Sequence, residues 1–192
     1  MIAAIAGAVV GLFNNFTISQ GASIPPLAIA WARPTVFQNV ITNIDGGTGA
    51  VTVNNEVTFS RLNESHLACP GSNGGKNWPE GAYSPLTNTM YMPMQNMCMT
   101  ATTTTDQRDP SKVYGLTMQP SIAPGADKVG TVWAISAETG RTIWKHEERA
   151  GAMSLVATGG GLIFGGDVNG RFKAYDDKTG KVLWEMNLGS PR

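Results

Sequence analysis

The amino-acid sequence predicts an all-β fold, namely part of a β-propeller built from antiparallel four-stranded blades. The first observation is an internal repeat. Gly130–Trp144 and Gly170–Trp184 align without a gap, and both carry Gly, Ala, Thr-Gly and Trp in register. A period of roughly 40–50 residues with turn residues and a terminal Trp is typical of a propeller blade. The second observation is composition, because only 15% of the residues are charged while 23 are Gly and 11 are Pro. One blade cannot bury both of its faces, so the chain must be an array of blades or a piece of one.

The bulk charge argues against a nucleic-acid partner. The chain has 14 Lys and Arg against 14 Asp and Glu, and its basic residues are scattered rather than clustered. A phosphate-binding surface needs grouped Lys and Arg side chains. No membrane span is predicted either, because the apolar segment Met1–Phe13 is shorter than the ~20 residues that a bilayer requires. That segment also lacks a positively charged start, so we interpret it as a buried strand or an irregular end, with a degenerate signal peptide as the alternative.

The chain divides into two parts by pattern. Residues 1–34 are apolar, punctuated by Pro and free of blade signals, which predicts a divergent or poorly structured N-terminal segment. Residues 35–192 are predicted to form a partial propeller of about three to four blades. Near its start, the strands Thr35–Ile41 and Ala50–Val53 flank a turn at Asp45–Gly49, where Asp can accept backbone N–H bonds and Gly can supply a positive φ.

The second half of the chain is more regular than the first. Residues 100–128 are rich in Thr, Pro, Asp and Gly with little periodicity, so we expect a long loop or excursion there. On either side, short runs separated by Gly or Asn-Gly turns predict antiparallel strands. These predicted strands are Asn88–Met94, Val129–Ile135, Thr142–His146, Ala152–Thr158, Leu162–Gly165, Arg171–Tyr175 and Val182–Met186.

Trp144 and Trp184 are predicted to be structural. Each ends a blade motif, and an indole is large, flat and able to donate one hydrogen bond. It can therefore lie between adjacent blades and donate to a backbone carbonyl of the neighbour. Ala134 and Ala174 are small enough to let the sheets approach. We expect no catalytic role for either tryptophan.

Cys69 and Cys98 are the two cysteines of the chain. They form neither a CxxC nor a CxxCH motif, so a zinc ribbon and a c-type haem site are not predicted. The pattern alone leaves two alternatives open, a pair of buried thiols or one disulfide. His66 and His146 have no partner at ligand spacing, so no metal site is predicted at either histidine.

The repeated Ala-x-x-x-x-Thr-Gly-x-x-x-Trp motif and the block Cys-Pro…Gly-Gly-Lys-Asn-Trp…Tyr-Ser-Pro within Cys69–Pro85 carry a specific resemblance. Over roughly residues 33–192 the chain resembles the quinoprotein alcohol dehydrogenases of the methanol and ethanol type, which use pyrroloquinoline quinone. The resemblance implies an eight-bladed propeller with a calcium or lanthanide ion beside the quinone. It also implies that a carboxylate base takes the alcohol proton while hydride passes to the quinone. Members of the family are far longer, so the chain would be a fragment from the later part of the propeller.

The resemblance also implies site residues. Asn77 matches the asparagine that hydrogen-bonds the cofactor edge, and Lys76 and Trp78 flank it as further cofactor-binding candidates. The alternative for these two neighbours is a solvated lysine and a packing tryptophan. Ala152 stands where the family often has a cofactor-contacting Trp, a departure that bears on cofactor affinity or subclass. The cysteines match a family pair that forms a disulfide, which implies an oxidising compartment and a periplasmic location.

No catalytic or metal-binding residue is assigned within the chain. In the family, the metal-ligand carboxylate and asparagine and the catalytic aspartate belong to sequence upstream of these motifs. We therefore expect the 192-residue chain to be inactive on its own. The implied partners are a small-molecule alcohol and cytochrome c or a similar electron acceptor. Two alternatives stay open, a non-catalytic propeller that serves as a binding or assembly scaffold, and a truncated gene product.

Overall fold

The computed structural model describes residues 31–105 and 115–189 of the chain. Within them lie thirteen β-strands and one short 3-10 helix, Asn55–Val57. The strands are β1 Ile41–Ile44, β2 Val51–Val53, β3 Ser65–Ala68, β4 Ala82–Ser84, β5 Thr89–Gln95, β6 Met97–Thr104, β7 Gly115–Ile122, β8 Gly130–Ser136, β9 Thr142–Glu148, β10 Ala152–Ala157, β11 Leu162–Asp167, β12 Arg171–Asp176 and β13 Val182–Asn187. In the described parts of the chain no helix is long and apolar enough to cross a membrane.

Two four-stranded antiparallel sheets form the centre of the structure. One has the strand order β4-β5-β8-β9 and the other the order β10-β11-β12-β13. A three-stranded sheet, β3-β6-β7, and the hairpin β1-β2 complete the described residues. The prediction of antiparallel four-stranded blades is confirmed, and so are the seven strands predicted at residue 88 and beyond, each within two residues of its predicted bounds.

The prediction of a long loop or excursion over residues 100–128 is wrong at residues 100–104 and 115–122, which are strand. β6 and β7 pair in an antiparallel register from Met97↔Ile122 to Thr104↔Gly115. The overlooked signal is an alternation of apolar and polar residues along β7, where Leu116, Met118 and Ile122 share one face. A run of β-branched threonines in β6 supports the same conformation.

The predicted hairpin near residue 45 is present, but its first strand begins later than expected. The Gln38 side chain accepts hydrogen bonds from the N–H groups of Val40, at 3.1 Å, and of Ile41, at 2.8 Å. This local turn keeps the preceding residues out of the ladder, so β1 starts only at Ile41. The turn itself forms as predicted, because Asp45 Oδ1 accepts from Thr48 N at 2.6 Å and Gly49 has a φ of 73°.

The main core lies between the two four-stranded sheets. Trp144 on β9 is only 8% exposed, and its Nε1 donates to the carbonyl of Asp177 at 2.8 Å. The indole lies over Gly180, where an added Cβ would be 2.5 Å from the ring and where φ is +71°. Tyr91 donates from its hydroxyl to the same Asp177 carbonyl at 3.0 Å. The cluster also contains Val132, Ala134, Ala152, Leu155, Ile163 and Tyr175.

Trp31 makes the same kind of contact on the first of these sheets. Its Nε1 donates to the carbonyl of Ala137 at 3.0 Å, and its ring lies over Gly140, which has a φ of +70°. Sequence reasoning missed this residue because Trp31 is not preceded by an Ala-x-x-x-x-Thr-Gly motif. The sequence places Trp31 in a divergent segment, whereas the structure shows it packed on the sheet. The prediction for Met1–Phe13 lies outside the described residues, and the boundary near residue 34 stays a prediction.

Trp184 ends the second blade motif but is 44% exposed. Phe172 meets its ring edge-on with the centroids 6.2 Å apart. Among the described residues no further sheet covers this face. The indole of Trp184 therefore differs from that of Trp144 in having no carbonyl partner in the described part of the chain.

Cys69 and Cys98 form a disulfide that is almost completely buried, with exposures of 0% and 1%. The bond joins the end of β3 to β6, 29 residues further along the chain. The disulfide implied by the family resemblance is therefore present. Ala123 and Ala126 pack beside it in a small separate core.

Reduction of this disulfide is expected to lower the free energy of unfolding by roughly 3–4 kcal/mol, because closing a loop of this length restricts the unfolded chain. Urea unfolding with and without a reductant measures the change. A Cys69→Ala, Cys98→Ala double variant serves as the control and should not respond to the reductant. An unchanged midpoint for wild type, after mass spectrometry shows two free thiols, would contradict the expectation.

Candidate functional site

The loop between β3 and β4 is hydrogen-bonded to the backbone where β5 ends and β6 begins. Gly71 N donates to the carbonyl of Met97 at 2.8 Å, and Gly75 exchanges two backbone hydrogen bonds with Gln95, at 2.7 and 3.0 Å. A Cβ on Gly74 would collide with the Met97 carbonyl, so only glycine fits at that position. These contacts fix the course of the backbone immediately before Asn77.

Asn77 is half-buried, and its side chain contacts the same loop. Its Nδ2 donates to the carbonyl of Ser72 at 3.2 Å. Among the described residues, the side-chain oxygen of Asn77 has no hydrogen-bond partner. The amide is thus held by one donor while its acceptor and second donor remain available to a ligand.

The side chain of Lys76 is hydrogen-bonded to the backbone of this loop. Its ammonium donates to the carbonyl of Asn77 at 2.8 Å and to the carbonyl of Pro79. Burial lowers the pKa of Lys76, and the negative charge of Glu80 opposes that shift. Lys76 is therefore not a freely solvated lysine, and its charge is directed at the backbone that carries Asn77.

Asn77 lines a cleft of about 460 Å³ near the end of β5. Trp78 lies at the same cleft and is 88% exposed, so it does not pack against the described residues. The cleft is rich in side-chain amides, which can both donate and accept hydrogen bonds. Its lining residues are Ser72, Asn73, Asn77, Trp78, Pro79, Gln95 and Met97.

The cleft borders the line along which the two four-stranded sheets meet. The carbonyl of Glu80 accepts from Leu155 N at 2.9 Å, and the N–H of Glu80 donates to Ser154 Oγ at 2.9 Å. These bonds join β10, the first strand of its sheet, to the segment that leads into β4. The neighbouring Ala152 is 2% exposed, and its methyl group lies inside the core cluster rather than on an open surface.

A second polar group is buried between the sheets, away from the cleft. Lys173 on β12 donates to both carboxylate oxygens of Glu148 on β9, at 2.6 and 2.7 Å, and the Tyr175 hydroxyl donates to Glu148 at 2.9 Å. His146 Nε2 lies 3.1 Å from Glu148 Oε1. This cluster was not predicted because its members come in pairs from two strands that are far apart in sequence, β9 and β12, and form no motif.

The pKa values in this buried cluster are set by opposing effects. Burial acts to raise the pKa of Glu148, but hydrogen bonds from His146, Lys173 and Tyr175 outweigh it and hold the pKa at about 2. Burial and the charge of Glu148 raise the pKa of Tyr175. Glu148 is therefore ionised and Tyr175 neutral at pH 7, which makes the cluster a closed ion pair rather than a proton donor.

The metal and cofactor chemistry that the described residues can support is limited. Among residues 31–105 and 115–189, no group of three or more His, Cys, Asp or Glu side chains converges on a point. The cleft offers amides and an indole, which suit an uncharged or anionic ligand that carries carbonyl oxygens. The site residues Asn77, Lys76, Trp78 and Ala152 thus stay predictions, with Asn77 and Trp78 at one cleft.

The chain is similar in sequence to a protein-family model and to several longer proteins. A protein-family model described as outer membrane protein assembly factor BamB matches residues 128–192. The lanthanide-dependent methanol dehydrogenase of Methylacidiphilum fumariolicum is 38% identical over 126 residues, which is 64% of this chain and 21% of that protein. Lupanine 17-hydroxylase (cytochrome c) of a Pseudomonas species is 31% identical over 154 residues, which is 79% of this chain and 22% of that protein.

A solved structure supports the same relationship. A europium-containing methanol dehydrogenase superposes with a TM-score of 0.75 and 31% sequence identity, covering 84% of this chain and 29% of that one. The chain spans about a fifth of the length of the curated relatives it matches, at 21% and 22%. The antiparallel four-stranded sheets are therefore part of a β-propeller, and the chain is a homologue of one section of the quinoprotein alcohol dehydrogenases.

Proposed function

We propose that the chain is part of a dehydrogenase that oxidises a primary alcohol with pyrroloquinoline quinone as hydride acceptor. The observation that supports this most directly is the position of Asn77. Its amide lies in an amide-lined cleft beside the junction of β5 and β6, on a loop that Lys76 and two glycines hold in place. A propeller that served only as a scaffold would not need such a braced polar cleft.

The cleft residues fit an oxygen-rich planar cofactor. The free oxygen and remaining N–H of Asn77 can bond to a rim of carbonyl and carboxylate groups. When bound, pyrroloquinoline quinone supplies the acceptor for hydride from the alcohol carbon. In this proposal Asn77 orients the cofactor edge, Lys76 positions Asn77, Trp78 shapes the rim, and Ala152 stands beside the site without an aromatic ring.

The remaining parts of the proposal concern the whole protein. We propose a calcium or lanthanide ion whose ligands lie outside this chain, consistent with the name of the Methylacidiphilum relative. Cytochrome c is the proposed electron acceptor, as the name of the lupanine hydroxylase suggests. A buried disulfide is suited to an oxidising compartment, which supports a periplasmic location. The 192-residue chain alone is expected to show no alcohol turnover.

Replacement of Asn77 by Ala in the full-length protein is expected to weaken binding of pyrroloquinoline quinone about 10- to 100-fold, because a hydrogen bond to a charged or strongly polar ligand group is lost. Absorbance titration of the metal-loaded apoprotein measures this affinity. Asn55→Ala is the matched control, since Asn55 is exposed and its side chain makes no hydrogen bond in the described structure. Wild-type protein that does not bind the quinone would refute the proposed function.

A second candidate is a non-catalytic propeller that serves as an assembly scaffold. The match of residues 128–192 to the BamB family model favours it, because that range contains both blade motifs and excludes the cleft loop. The same titration separates the two candidates. A scaffold would not bind the quinone, and neither Asn77 nor its neighbours would affect its assembly partner.

A further inference from the structure

We propose that Gln95 is a second ligand-contact residue of the cleft, and that its carboxamide bonds to a carbonyl or carboxylate oxygen of the same planar ligand that Asn77 orients. The inference rests on the proposed function and adds a residue to it. Gln95 is the last residue of β5 and belongs to no motif that sequence analysis identified.

The backbone of Gln95 is fixed beside the cleft loop. Its N–H donates to the carbonyl of Gly75 at 3.0 Å, and its carbonyl accepts from Gly75 N at 2.7 Å. Gly75 has a φ of +67°, a conformation that brings the loop back towards the strand. The backbone of Gln95 is therefore bonded to the loop that carries Asn77. Both residues line the same cleft.

The side chain of Gln95 lies against the loop that joins the two blades. A Cβ built on Gly151 would be 3.2 Å from Gln95 Nε2 and 3.5 Å from Oε1. Glycine at position 151 thus leaves just enough room for the carboxamide. The carboxamide of Gln95 therefore lies against Gly151, and the same residue lines the cleft.

The carboxamide of Gln95 has no protein partner in the described residues, although the residue is half-buried. A half-buried amide that lacks a partner is costly unless water or a ligand satisfies it. Because an amide is uncharged and presents both a donor and an acceptor, it suits carbonyl and carboxylate oxygens without requiring a cation. Asn77 offers the same chemistry from the loop side, and both residues line one cleft.

Three variants of the full-length protein test the assignment. Gln95→Met keeps the shape and removes the amide, Gln95→Glu keeps the shape and adds a negative charge, and Gln119→Met is the matched control on the exposed strand β7. We expect the first to weaken binding of pyrroloquinoline quinone about 10- to 100-fold and the second to weaken it further. The control should bind as wild type does. Thermal unfolding of the quinone-free proteins shows whether a variant has lost its fold.

The outcomes are distinct. Wild-type binding that Gln95→Met leaves unchanged would overturn the assignment of Gln95 while leaving the proposed function in place. Absence of binding by wild-type protein would overturn both. If Gln95→Met unfolds, Gly151→Ala replaces it, because the added methyl displaces the carboxamide by a few tenths of an ångström. That variant should bind the quinone several-fold more weakly at an unchanged unfolding temperature, and unaltered binding would refute the assignment.

Discussion

Replacing Trp144 with alanine is expected to lower the free energy of unfolding of the 192-residue chain by about 4 kcal/mol. Truncating a buried tryptophan removes a large apolar area and leaves a cavity between two sheets that are already close-packed. The substitution also removes the 2.8 Å hydrogen bond to the carbonyl of Asp177. Tyr91 bonds to the same carbonyl, so that group is not left without a partner. The loss therefore arises mainly from packing.

Urea unfolding followed by circular dichroism measures the effect. Trp184→Ala is the matched control, because Trp184 occupies the equivalent position in the second blade motif but is 44% exposed. Its removal is expected to cost about 1 kcal/mol in this chain, chiefly through the edge-on contact with Phe172. Equal losses for the two variants would show that the indole of Trp144 does not act as the joint between the sheets.

The repeat allowed this part of the fold to be predicted, because blade packing leaves a local record in the sequence. Gly180 needs a positive φ and must lie beneath an indole, and both requirements restrict the residue types within one short motif. The turn at Asp45–Gly49 is likewise set by residues that are close in sequence, because Asp45 accepts from Thr48 N and Gly49 has a positive φ. Where a structural requirement is met by neighbours in sequence, the pattern can be recognised without any knowledge of the fold.

Features that depend on distant residues were not predictable in this way. Trp31 packs on Gly140 although 109 positions separate them, and nothing near Trp31 marks it as a blade residue. Lys173 and Glu148 meet only because β9 and β12 lie on facing sheets. The cleft shows both cases, since the motif around Asn77 predicts that residue as a cofactor contact, whereas only the structure places Gln95 beside Gly151.

Replacing Glu148 with glutamine is expected to destabilise the chain by roughly 3 kcal/mol at pH 7, because the buried ammonium of Lys173 loses its nearer counter-charge and keeps only Glu185, whose Oε2 is 3.6 Å away. Lys173 is 6% exposed and Glu148 is 7% exposed, so water cannot readily replace the missing partner. Glu147→Gln is the matched control on the same strand. Glu147 pairs with Lys145 at 2.6 Å on the surface, and such exposed pairs contribute under about 1 kcal/mol.

The pH dependence provides a separate readout for the same residue. The folded-state pKa of Glu148 is about 2, below its ordinary value of 4.5, so the carboxylate stabilises the fold above pH 4.5. That contribution, roughly 2–3 kcal/mol, is lost progressively as the pH falls from 4.5 towards 2. Glu148→Gln should lack this part of the acid dependence, and urea unfolding between pH 2 and 7 measures it. A variant whose acid dependence matched that of wild type would show that folding does not lower the pKa of Glu148.

A double replacement distinguishes the contribution of the intact ion pair to the free energy of unfolding from the destabilisation caused by removing one of its charges. Glu148→Leu combined with Lys173→Met removes both charges and keeps the volume apolar, and we expect it to recover most of the stability lost in Glu148→Gln. The Tyr175 hydroxyl loses its acceptor only in the double variant, since the glutamine oxygen of Glu148→Gln can still accept, and this loss limits the recovery by about 1–3 kcal/mol. If the double variant were instead less stable than Glu148→Gln, the pair itself would be a net source of stability. The buried charges would then hold the two blades together more strongly than apolar packing could.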